Sequence, residues 1–143
     1  MIPTDFGSFR ELLPVADSQT VGDLTLRLVS IERYDRGSVL NFALSLREGR
    51  SFGLATVRGP QGPQLEIHAV DETATIYRAR AHAGGGTENG WRLGYLIDPG
   101  FGAEASRLEV RVPAAFIVRH FPDRASPEVI ERWPGPWNFR VAL

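Results

Sequence analysis

In the stretch YRARAH, residues 77–82, Arg78, Arg80 and His82 stand at every second position. Arg92 joins them if this stretch pairs as a hairpin with GWRLGYLI. On a strand, that spacing puts all of these cations on one face. Guanidinium forks grip carboxylates and phosphates through paired hydrogen bonds, so the row could meet an acidic partner. The alternative is a solvated outer face whose charges pair with Glu88, Asp98 or Glu109. Under the first reading, reversing Arg78 and Arg80 to Glu weakens partner capture and leaves the melting temperature nearly unchanged.

Other residue types with chemical potential lead less far. His68, His82 and His120 form no H-x-H or H-x-x-x-H pair, and Glu66 with His68 makes half a metal site at best. Gly84-Gly85-Gly86-Thr87 lacks the helix start that a phosphate cradle needs, and a strand-like ENGWRLGYLI follows it, so it reads as a hairpin loop. No G-x-S-x-G occurs, and the seventeen acids fall at turns and outward positions that single out no catalytic pair. No catalytic residue, cofactor or metal is expected.

The composition agrees with that restraint. With 143 residues and 43% hydrophobic content, the chain is the size of one soluble domain, and we expect residues 1–143 to form one. Sixteen arginines, no lysine and seventeen acids give a net charge of −1, which provides no global field for nucleic acid. Without cysteine there are no disulfides, thiolate nucleophiles or cysteine-bound metals. No signal peptide or transmembrane stretch is visible, and the compartment stays open.

Period-two patterning positions these residues. Leu24, Leu26 and Leu28 alternate with polar residues, then the phase slips to Val29 and Ile31, as at a bulge. Leu40, Phe42, Leu44 and Leu46 form the next inward row after a turn at Asp35-Arg36-Gly37. SFGLATV (51–57) reads as a short strand and RGPQGPQ (58–64) as loop. Further rows are Leu65/Ile67/Ala69, Tyr77/Ala79/Ala81, Trp91/Leu93/Tyr95/Ile97, Leu108/Val110/Val112 and Trp137/Phe139/Val141. Small alanines on one strand leave room for Trp and Tyr on its partner. Ser126-Pro127-Glu128 predicts a helix start, with one short helix over about 127–133 inside an insertion, 113–133, before the last strand. Residues 1–9 read as an extended N-terminal arm, and the stretch to Val15 shows no helix or strand of its own. Seven to nine strands with turn signals predict an all-β antiparallel sandwich or, second, a barrel.

The order of these elements resembles a family. VGDLTLRLVSIERY, SVLNFALSLRE, LEIHAVDETATIYRA, a glycine-rich hairpin, SRLEVRV and a closing PWNFRVAL look like the immunoglobulin-like β-sandwich domains of bacterial envelope proteins. These include the outer domains of membrane-tethered anti-sigma factors. Asp71, Tyr77, Trp137, Phe139 and Val141 occupy the matching places over roughly residues 20–143. The resemblance implies a non-catalytic sensing or interaction module in the envelope, and no catalytic residues.

The sequence therefore predicts a binding or protein-interaction module. Its surface would be the face of Arg78, Arg80, His82 and Arg92, or the insertion with Phe116, Phe121 and an exposed Trp133 beyond the P-G-P break. The insertion either caps the chain's own edge strand or packs on a partner. A second reading is a structural subunit that reaches its neighbour through an N-terminal arm with exposed Phe6 and Phe9. A third is a small carbohydrate-binding module or hydrolase, which would gather acids or ring faces in a pocket. The partner is expected to be another protein, and the oligomeric state is left open.

Overall fold

The structure, a computed structural model, describes residues 4–52, 62–119 and 123–143. The expected strand at 51–57 and loop at 58–64 fall largely outside them, and His120 and Phe121 wholly so. After a 3-10 turn at Thr4–Phe6 come nine strands: β1 (Phe9–Val21), β2 (Leu24–Tyr34), β3 (Ser38–Leu46), β4 (Gln64–Leu65), β5 (His68–Asp71), β6 (Ile76–Gly86), β7 (Gly90–Asp98), β8 (Arg107–Arg119) and β9 (Glu128–Ala142). The fold class is all-β, with every pairing antiparallel.

The strands form one curled sheet in the order β1-β2-β3-β7-β6-β5-β8-β9, with β4 following β5 along the same edge of β8. Its two halves face each other across a single core. Leu24, Leu26, Leu28, Ile31, Leu40, Phe42 and Ile97 on one side meet Leu108, Val110, Val112, Trp137, Phe139 and Val141 on the other. Phe42 meets Phe139 edge-on at 6.2 Å between ring centroids, the geometry that aromatic quadrupoles favour. Tyr95 reaches across the interior, where its hydroxyl accepts the Leu65 amide at 2.7 Å and ties β7 to β4.

The sheet nearly closes on itself. β1 comes alongside β9, and the Gln19 side chain takes the place of a missing ladder rung. Its amide donates to the Asn138 carbonyl, and its Oε1 accepts the Asn138 N–H at 2.8 Å.

The bulge expected after Leu28 is present, since Leu28 pairs with Phe42 while Ser30 pairs with Asn41. The small-against-large pairing also holds, with Ala81 opposite Tyr95 and Gly86 opposite Trp91. The three glycines 84–86 are strand residues rather than loop, and the turn lies beyond them, closed by the Thr87 amide on the Gly90 carbonyl at 2.8 Å. A Cβ on Gly86 would overlap Trp91, which is why a glycine run can sit within this strand.

Two regions differ from expectation. The helix over 127–133 is absent; residues 128–133 open β9, and Val129, Glu131, Arg132 and Trp133 pair with Val118, Ile117, Phe116 and Ala115. Ser-Pro-Glu is a helix-start signal, but β-branched Val129 and Ile130 and the aromatic Trp133 favour a strand once β8 extends far enough to pair with them. The P-G-P segment is therefore a bulge inside one strand, where Gly135 lies against Val112; a Cβ there would sit 2.6 Å from the Val112 carbonyl oxygen. Alternation along β9 runs unbroken through this segment, so Trp133 faces inward as well as Trp137. Trp133 is buried, edge-on to Phe52 at 5.6 Å, so the expected exposed anchor is core.

The N-terminal stretch is the second difference. Residues 9–21 form β1 on β2, and Phe6 is not an exposed arm residue. It is buried with Tyr34, Val39 and Leu96 in a small second cluster on the outer face of the sheet. Phe9 is half exposed and meets Tyr34 edge-on at 5.6 Å.

Candidate functional site

The outer face of β2-β3-β7-β6 carries a concavity of about 650 Å³. Its origin lies in the strand register. Ser30, Asn41, Gly94 and Ala83 are consecutive partners across four strands, so a row of small side chains forms a trough across the sheet. One wall holds Tyr34, Val39 and Glu32, and the other holds Arg92 and Gly85. His82 closes one end. It is the extra residue of a bulge in β6, where Ala81 pairs with Tyr95 and Ala83 with Gly94.

The acceptor in this groove is held in place from two sides. Glu32 accepts from the Tyr34 hydroxyl at 3.0 Å through Oε1 and from the Asn41 side-chain amide at 2.8 Å through Oε2. Asn41 also donates to the Ser30 hydroxyl at 3.1 Å. Burial, and then the bond to Glu32, pushes the Tyr34 hydroxyl pKa upward, so it stays a donor across the ordinary pH range. The groove thus offers one carboxylate, one amide, two hydroxyls, an imidazole and a guanidinium around a glycine floor.

The arginine row is only partly assembled as expected. Arg78 and Arg80 do project from the outer face, but Arg80 is committed elsewhere. It pairs with Asp5 at 2.7 Å and lies over the Phe6 ring at 5.9 Å, pinning the N-terminal turn to the sheet. Chiefly through that bond, the Asp5 carboxyl titrates below the ordinary range. Arg80→Glu is therefore expected to release residues 4–8, measured as faster amide exchange there and a slightly lower melting temperature. An unchanged exchange pattern would restore Arg80 to the free row. Arg78 lies opposite Asp98 in the register, at the far end from Arg92. His82 and Arg92 both line the groove.

Among the described residues of the insertion, Val129 and Ile130 are exposed. Phe116 is half-buried in β8 opposite Arg132, and Trp133 is core. Glu32, Asn41 and Arg27 were not singled out in the sequence. Their positions depend on β3 pairing with β7, about fifty residues further on, which no local pattern announces.

Buried acid chemistry lies apart from the groove. Asp71 accepts from the Tyr77 hydroxyl at 2.6 Å, from the Thr73 amide and hydroxyl at 2.8 and 2.6 Å, and from the Thr75 amide at 3.2 Å. The Thr73 and Tyr77 bonds hold its pKa down at about 2, and burial, together with this bond, pushes the Tyr77 hydroxyl upward. This cluster locks the β5–β6 turn. Among the described residues no three His, Asp or Glu side chains gather as metal ligands, and no helix is long and apolar enough to cross a membrane.

No protein-family model matches the chain, and no curated protein does. Its fold is similar to the crystal structure of the conserved domain protein from Bacillus anthracis, with a TM-score of 0.67 and 11% identity. The likeness covers 93% of this chain and 48% of that one, so the chain spans about half the length of the structure it matches. At that identity the likeness concerns the fold.

Proposed function

We propose that the chain is a non-catalytic binding module that receives a segment of another protein in the transverse groove of Ser30, Glu32, Asn41, His82, Arg92 and Gly94. The fold would be an immunoglobulin-like sandwich of the kind found in bacterial envelope proteins. The observation that carries this reading is the groove itself, a trough of small residues whose one carboxylate is held by two hydrogen bonds. A carboxylate oriented in this way offers a fixed acceptor to a ligand N–H. It stands without the second acid that paired-carboxylate hydrolysis needs in the same groove. The bond between Asp71 and Tyr77 and the inward Trp137, Phe139 and Val141 support the immunoglobulin-like reading.

Filling the floor tests the groove. A Cβ at Gly94 would lie 3.7–3.8 Å from Asn41, Ala83 and Val39, an ordinary contact distance, so Gly94→Phe is expected to fold and to occupy the trough. Selection from a random displayed-peptide library should enrich sequences that bind the natural chain and lose at least about ten-fold in affinity for the variant. Equal binding to both proteins, or no enrichment, would reject this surface.

A further inference from the structure

The register places a second cation beside the groove that the sequence keeps far from Arg92. Arg27 in β2, Ala43 in β3 and Arg92 in β7 are successive cross-strand partners. All three point outward, because their neighbours Leu26, Leu28, Phe42, Leu44 and Leu93 point into the core. Two strand spacings put the arginine backbones about 10 Å apart, with only an alanine side chain between them. Two guanidiniums can therefore converge on one oxyanion above Ala43.

The surrounding acids are engaged elsewhere. Asp23, at the nearby β1–β2 turn, pairs with Arg47 at 3.2 Å and Arg50 at 3.3 Å. Glu32 is held by Tyr34 and Asn41. Several other described arginines meet acids, as in Arg33–Glu11 at 2.7 Å and Arg140–Glu109 at 3.2 Å. Among the described residues, Arg27 and Arg92 form no ion pair with each other's neighbours. The rest of this part of the face is uncharged and rich in hydroxyls: Ser18 is the partner of Arg27 on β1, and Thr20 and Thr25 share a bond at 2.7 Å. Glu88 lies beyond, in the turn that follows β6.

We infer that Arg27 and Arg92 form a two-pronged anchor for a carboxylate of an acidic peptide segment, seated across Ala43 at the rim of the groove. This rests on the binding-module reading and names the chemistry of its ligand. Two positive charges side by side repel, and a shared anion relieves that repulsion while accepting two forks. The peptide then continues into the trough, where Glu32 accepts one of its N–H groups.

The probe is a synthetic eight-residue peptide alternating Glu and Ser, with a Gln/Ser peptide of the same length as control, titrated into the labelled protein by NMR. The Glu peptide should shift the amides of Arg27, Ala43 and Arg92, and the Gln peptide should not. Arg27→Gln and Arg92→Gln should each weaken binding about ten-fold, and the affinity should fall steeply with salt. Arg111→Gln, on the strand pair β8-β9, should leave it unchanged. Shifts absent from this row, or equal loss in Arg111→Gln, would overturn the anchor. If library-selected peptides still bind both Gln variants but fail on Gly94→Phe, the groove stands and the arginine anchor falls. If Gly94→Phe keeps those peptides while the Gln variants lose the Glu peptide, the anchor stands without the groove.

Discussion

Trp137→Ala is expected to leave the domain at the edge of unfolding. The indole is fully buried, and its N–H donates to the Leu24 carbonyl at 3.2 Å, joining β9 to the start of β2. Removing a buried Trp costs about 3–5 kcal/mol, and the Leu24 carbonyl loses a donor as well. Against a total stability of about 5–15 kcal/mol, that is a large share. Melting temperature should fall by on the order of 10–15 °C in calorimetry. Trp137→Phe, which keeps most of the apolar volume, should recover more than half of the loss. Trp133→Ala decides between the two accounts of the P-G-P segment. A surface Trp would be nearly silent, whereas the buried ring against Phe52 should cost about as much as Trp137. A neutral Trp133→Ala would return this residue to the surface and undo the assignment of residues 128–133 to β9.

The second large effect is expected at Asp71, and it carries a pH signature. Its carboxylate receives four donors from three residues, so Asp71→Asn turns an acceptor into a group that faces them with its own N–H. Tyr77→Phe removes one of those donors and should cost about 1.5–3 kcal/mol. The folded carboxyl titrates at about 2, below its ordinary value of 3.8. A depressed pKa means that the stabilisation is fully present above the unfolded value and is lost as pH falls through the folded one. The gap in melting temperature between the natural chain and Asp71→Asn should therefore be constant at about pH 5–7 and narrow from about pH 4 down to about pH 2. A gap that stays constant down to about pH 2 would mean that Asp71 is not the charged acceptor of this turn.

Much of the fold was legible because a half-buried antiparallel strand writes its orientation into every second residue. Leu24, Leu26, Leu28, Ile31, Leu40, Phe42, Leu44, Leu93, Tyr95, Ile97, Trp137, Phe139 and Val141 point inward as expected and the bulge follows Leu28, but Val29, expected inward, lines the outer groove. β1 escaped because it is an edge strand whose first half is mostly exposed, so its residues carry little alternation. Residues 128–133 escaped because VIERW has no clean period of two, and a capping signal stood before it. Half of the candidate site was visible. Arg92 and His82 belong to one local hairpin, which the sequence indicates. Their partners Arg27, Glu32 and Asn41 come from a hairpin some fifty residues earlier, and only the pairing of β3 with β7 brings the two together. Sequence shows which faces are polar; strand order determines which polar groups are neighbours.

Gln19 gives the molecule a preferred line of weakness. Among the described residues, the other neighbouring strands are joined by backbone ladders. Between β1 and β9 the join includes one side-chain amide on Asn138, and a rotation about the bonds of Gln19 is enough to release it. Beneath this join, Trp137 donates to the Leu24 carbonyl at 3.2 Å. The curled sheet is thus asymmetric in its joins: β1 is laddered to β2 on one side and meets β9 through the Gln19 side chain on the other.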